Sequence, residues 1–102
     1  MKIYVAGKIT GKPPYQYVSE FRHAASVLKI RGHKVINPVT LNDSLAAQEF
    51  GYEDMMALCF AAIDVCDAIF MLEDWHDSPG ARREHEYALN KGKRIIYQNV
   101  KI

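Results

Sequence analysis

The chain has 102 residues, 49% of them hydrophobic and 25% charged, with a formal net charge of +1. That length supports one domain around one core, and the composition excludes a disordered chain. The near-neutral charge leaves no electrostatic footprint for long nucleic acid or an anionic membrane surface, and no apolar run approaches the roughly 20 residues that span a bilayer.

In chain order, Lys2-Ile3-Tyr4-Val5-Ala6 is a β-rich run that ends at Gly7, and it predicts the first strand. Gly7, Lys8, Ile9, Thr10 and Gly11 form a loop, and Lys12-Pro13-Pro14 can neither continue a strand nor sit inside a helix. Val18, Phe21, Ala25 and Leu28 then recur at helical spacing, which predicts an amphipathic helix over residues 15–31, stopped by Gly32. Residues 33–38 form the second strand, ended by Pro38. Residues 39–49 mix turn formers with apolar residues and leave room for a short helical turn. A second helix is expected over residues 52–65 from Tyr52, Met55, Met56, Cys59, Ala62 and Ile63.

The apolar run Ile69, Phe70, Met71 and Leu72, between acidic residues, predicts a buried strand at 67–72. After a polar loop, Ser78 is a good N-cap and Pro79 fits the first helical position, so a third helix runs to about Asn90. Gly92 stops it, and a last strand follows at 94–100. Strands alternating with helices imply right-handed crossovers and a mainly parallel sheet of about four strands. The expected architecture is a small three-layer α/β fold, a doubly wound parallel sheet of flavodoxin-like order. Its site lies where the first and third strands run side by side.

That arrangement would bring the loop at residues 7–11 to the loop at 73–80. Gly7 and Gly11 allow close backbone approach to a ligand, although the spacing matches neither a dinucleotide fingerprint nor a P-loop. In the third helix, Glu84 lies three residues after Ala81 and four before Ala88, bordering a stripe of small residues that should face the sheet. It reads either as a functional carboxylate or as a solvated ion pair with Arg82 or Arg83. Asp74 and Asp77 read as turn and cap residues, and Trp75 as a packing anchor or a surface for stacking a ring. His76 and His85 match no zinc spacing. Cys59 and Cys66 fall in or beside apolar runs, so buried thiols in a reducing cytoplasm are expected. Met1-Lys2 leads straight into a strand, so no secretory leader is expected.

Four stretches, Tyr-Val-Ala-Gly-Lys-Ile-Thr-Gly at 4–11, Gly-His-Lys-Val-Ile-Asn-Pro at 32–38, Cys-Asp-Ala-Ile-Phe-Met-Leu at 66–72 and Trp-His-Asp-Ser-Pro-Gly-Ala-Arg-x-Glu-x-x-x-Ala at 75–88, resemble the DUF4406 family, common in phages and prophages. That family is similar to the nucleoside 2-deoxyribosyltransferases and the deoxynucleoside 5′-monophosphate N-glycosidases. The resemblance implies one nucleoside deoxyribosyltransferase-like domain over residues 1–102. The pattern Ser-x-Gly-x-x-x-Glu-x-x-Tyr-Ala at 78–88 looks like the segment that carries the nucleophilic glutamate, which implies Glu84 as nucleophile. By the same resemblance Gly7, Lys8, Ile9 and Gly11 contact the sugar or phosphate, with Tyr4 below them, and Ser78 and Gly80 join them at the helix start. The chain departs from those enzymes at Cys59, eight residues before Asp67, where they carry an aspartate. The chain then either recruits Asp74 or Asp77 as the acid or has lost the activity. The resemblance implies an N-glycosidase or deoxyribosyltransferase-like enzyme for a deoxynucleoside or nucleotide, without metal or organic cofactor, and a homo-oligomer. A nucleotide-binding module without turnover is the alternative.

Overall fold

The computed structural model describes residues 1–41 and 48–98. Its elements are β1 (Lys2–Ala6), α1 (Pro14–Ile30), β2 (Lys34–Ile36), α2 (Tyr52–Asp64), β3 (Ala68–Met71), α3 (Pro79–Asn90) and β4 (Arg94–Tyr97), with a single 3₁₀ turn at Trp75–Asp77. The strands form one parallel sheet in the order β2-β1-β3-β4, the flavodoxin-like order expected. Tyr4 pairs with Ile69 and Val5 with Phe70, so β1 and β3 are the central strands.

The two-residue period of β1 and β3 divides the core into layers. On one face Ile3, Val5, Ala68 and Leu72 pack with Phe21, Ala24 and Leu28 of α1. On the other, Tyr4, Ala6, Ile69 and Met71 pack with Cys59 and Ile63 of α2 and with Ala81 and Ala88 of α3. A third helix residue, Glu84, is buried on the same side.

Element ends follow local chemistry. Pro14 does not stay outside the helix: it opens α1, where a missing N–H costs nothing. Gly32, at φ 92°, ends α1 in a left-handed cap, with Gly32 N–H donating to the Lys29 carbonyl and His33 N–H to that of Leu28. The second strand is shorter than expected, because the Asn37 side chain accepts from Val39 N–H at 3.1 Å and turns the chain. Residues 39–41 are helical, and the rest of the expected turn before Gln48 lies outside the described residues, as does the expected end of β4. Asp67 stands just before β3, its carboxylate accepting from Lys2 N–H at 2.8 Å. Cys59 and Cys66 are both buried and not bridged to one another. Among the described residues no helix is long and apolar enough to cross a membrane.

Candidate active site

At their carboxyl ends β1 and β3 part company. The chain leaves β1 for α1 on one face and leaves β3 for α3 on the other, which opens a crevice between the two exit loops. Gly7 is needed at this point: a Cβ there would lie 2.6 Å from Leu72 Cδ1 and 2.8 Å from its Cβ. Ser78 caps α3 by accepting from Ala81 N–H at 3.1 Å. The methyl-sized Ala81 and Ala88 let α3 lie close against the sheet, and the helical period then turns Glu84 inward with them.

Glu84 is 7% exposed, and its Oε2 accepts a short hydrogen bond from the Tyr4 hydroxyl. Tyr4 is fully buried at the floor. Both line a cavity of about 540 Å³, within the range of small-molecule sites. Its walls are Gly7, Ile9 and Thr10 from the β1–α1 loop, Tyr17 and Phe21 from α1, and Pro38 after β2. The remaining wall is Tyr52, Met55, Met56 and Cys59 from α2, with residues 78–81 at the start of α3.

Burial pushes the Glu84 carboxyl up to about 7, against the opposing pull of the Tyr4 hydrogen bond. Burial also raises Tyr4 well above the usual phenol value, with the Glu84 charge adding to it. The Cys59 thiol is raised to about 11, first by burial and then by the Glu84 charge. The floor thus holds three protonatable groups in one cluster, and Glu84 is the one poised near neutrality.

The arginines expected beside Glu84 are elsewhere. Arg82 is exposed, and Arg83 makes a two-pronged bond to Glu53 at 2.9 Å on both contacts. Its guanidinium sits 5.5 Å from the Tyr52 ring and 5.7 Å from that of Phe60. Phe60 stacks on Tyr87 at 4.4 Å, and the Lys91 ammonium lies 5.5 Å from the Tyr87 ring. A ladder of rings and cations therefore runs along the α2–α3 seam and ends at Tyr52, on the cavity wall.

Of the site residues expected from sequence, Tyr4, Gly7, Ile9, Ser78, Gly80 and Glu84 come together in this cavity. Gly80 leaves room for Tyr52, whose hydroxyl would lie 3.4 Å from a Cβ at that position. Gly11 and the Lys8 side chain do not line it. Gly11 has φ 87° and serves the turn of the loop. Asp74 accepts from Lys8 N–H and pairs with Lys12. Asp77 is exposed at the end of the 3₁₀ turn. Trp75 packs between His76 and His85, at ring distances of 3.8 and 4.2 Å, and turns toward Tyr97 of β4. Among the described residues no group of three His, Cys, Asp or Glu side chains could hold a metal ion.

Sequence reasoning missed Tyr17, Phe21, Tyr52, Met55 and Met56 as cavity residues, because helical periodicity marks them equally well as core. The signal available was chemical: two tyrosines and two adjacent methionines on core-facing stripes suit a wall that must adapt to a ligand.

A family model described as Domain of unknown function (DUF4406) matches residues 1–97. No curated protein and no solved structure matches the chain.

Proposed function

The chain belongs to the DUF4406 family, and we propose that it cleaves the N-glycosidic bond of a deoxynucleoside or its 5′-monophosphate, with Glu84 as nucleophile. One observation carries this reading: a buried carboxylate, one oxygen held by Tyr4, at the wall of a cavity of nucleoside size. A structural glutamate would be expected in an ion pair, yet the neighbouring Arg83 is committed to Glu53. The resemblance of residues 78–88 to the nucleophile segment of deoxyribosyltransferases adds to it.

In this mechanism ionised Glu84 attacks C1′ through Oε1 while the C1′–N bond breaks and the base departs with its electron pair. The product is a glycosyl ester on Glu84. Water in hydrolysis, or a second base in transfer, then attacks C1′, its proton passes to the departed base anion, and the carboxylate is released. Tyr4 restrains Oε2, which leaves the other oxygen for the sugar. As positive charge develops on the sugar ring, the desolvated carboxylate stabilises it more than a hydrated one would. Tyr17, Phe21 and Tyr52 offer faces for a base, and the Ser78 hydroxyl and Gly80 N–H offer donors for sugar or phosphate. In the same reading the protein is cytoplasmic, needs no cofactor, and forms a homo-oligomer in which a second copy covers the cavity mouth at half-exposed Tyr52.

Cys59 favours a second reading. It brings a neutral thiol to the wall where the similar enzymes carry an aspartate, as suits a phage regulatory or interaction module that binds nucleotides without turnover. The test is a panel of deoxynucleosides and their 5′-monophosphates, with released base followed by chromatography and binding measured in parallel. Release that disappears in Glu84→Gln supports the enzyme. Binding without release supports the module.

A further inference from the structure

We propose that Asp74 is a positioning residue, a charged latch that holds the β1–α1 loop, and with it the Ile9 and Thr10 wall of the Glu84 cavity, in place. The inference rests on the cavity being a nucleotide site, but the latch is a property of the protein without ligand.

The loop has two sides. Ile9 and Thr10 face the cavity. Lys12 faces a separate polar groove of about 440 Å³, lined also by Gln16, Glu20 and Asp74. Asp74 lies on the groove side, in the loop between β3 and α3. Its Oδ1 accepts from Lys8 N–H at 3.3 Å, and its Oδ2 pairs with the Lys12 ammonium, which pairs in turn with Glu20 of α1. One carboxylate therefore grips the loop at two points four residues apart and ties it to α1 through Lys12.

The Lys12 side chain is only 11% exposed and that of Asp74 26%, so their pair is shielded from water and salt more than a surface pair is, while the Glu20 side chain is 42% exposed. Ile9 also packs against the buried cluster that holds Phe21 and Leu72. Lys12 N–H closes one turn onto the Ile9 carbonyl at 3.2 Å, and Gly11 takes a left-handed conformation that few other residues tolerate. The residues on the cavity wall, Ile9 and Thr10, lie between the two gripped points. If the grip loosens, the wall moves while Glu84 and Tyr4 stay where the sheet and α3 put them. This gives Asp74 a part other than proton transfer: its carboxylate is matched to an ammonium and turned away from the reacting centre.

The test compares the parent with Asp74→Asn, Lys12→Gln and the double variant. Two quantities are measured: hydrogen exchange of the amides of residues 8–12 in the ligand-free protein, and kcat and KM for base release from the four common 2′-deoxynucleoside 5′-monophosphates. A latch predicts exchange about tenfold faster and KM about tenfold higher in each single variant, with kcat within about twofold of the parent. The double variant should lose less than the sum of the two single ones, since both remove the Asp74–Lys12 pair while the Lys8 N–H and Glu20 contacts are each touched by one substitution. A fall in kcat at unchanged KM in Asp74→Asn would assign Asp74 to proton transfer and overturn the proposal, as would unchanged exchange at residues 8–12. If the parent releases no base, the glycosidase reading fails, and the exchange measurement still decides the latch.

Discussion

Replacing Glu84 by Gln should make the protein gain stability relative to the parent as pH rises. The carboxyl is moved from its ordinary 4.5 to about 7, chiefly because burial penalises the charged form. At pH 4 the group is largely protonated in both folded and unfolded chains, so little penalty exists. Between 4.5 and 7 the unfolded chain ionises and the folded one does not, so the parent loses stability across that window. Above 7 both are ionised and the loss is complete. At about 1.4 kcal/mol per factor of ten in proton affinity, the full loss is about 3 kcal/mol. Gln carries no such term. Its amide keeps the Tyr4 hydrogen bond through the carbonyl oxygen, and any cost of burying its N–H groups, about 1–3 kcal/mol, is the same at every pH and cancels from the difference. Urea unfolding of parent and Glu84→Gln at pH 4 and pH 8 measures it by linear extrapolation. The stability of the mutant relative to the parent should rise by about 3 kcal/mol between the two pH values. An unchanged difference would mean that the carboxylate is well solvated. A mutant that loses ground as pH rises would mean that Glu84 sits in a favourable ion pair, and the argument from desolvation would be refuted.

In the proposed mechanism only ionised Glu84 attacks, so base release at low substrate should climb with pH to a plateau, with its midpoint at about 7; a rate already at its plateau at pH 5.5 would contradict this assignment. Gly7→Ala drives a methyl into Leu72 and should cost about 1–3 kcal/mol, read as a lowered melting temperature; an unchanged melting temperature would show that the crevice floor yields easily. Cys59→Asp sets a second carboxyl in the cluster with Tyr4 and Glu84, so the midpoint of the pH–rate curve should move upward while base release at the plateau increases. A folded variant with an unmoved midpoint would place that aspartate out of reach of Glu84.

The order of strands and the two-sided core were readable because β1 and β3 alternate between α1 and the α2–α3 pair, and because each helix begins or ends on proline or glycine. Glu84 was readable as an anomaly, a charge between two alanines. Its partner was not: Tyr4 is eighty positions away, and only the packing of α3 on β1 brings them together. Arg83 looked like a neighbour of Glu84 in sequence, but one residue is about 100° around a helix, and that rotation carries it across the seam to Glu53. Asp74 shows the same limit. As a polar residue in a loop it fits a cap, an acid or a tether equally well, and its meeting with Lys12 is a fact of tertiary structure alone.

The ladder along the α2–α3 seam has a mechanical consequence. Tyr52, Arg83, Phe60, Tyr87 and Lys91 stack in sequence, and the Tyr87 hydroxyl is bonded to the carboxylate of Asp64 at the far end of α2 at 2.8 Å. Fastened along their length, the two helices respond to a load as a single stiff plate. Opposite that plate hangs a short span of chain anchored by charge. In the proposed reaction a guest that needs extra width would take it from that span, and the plate would keep Glu84 in register.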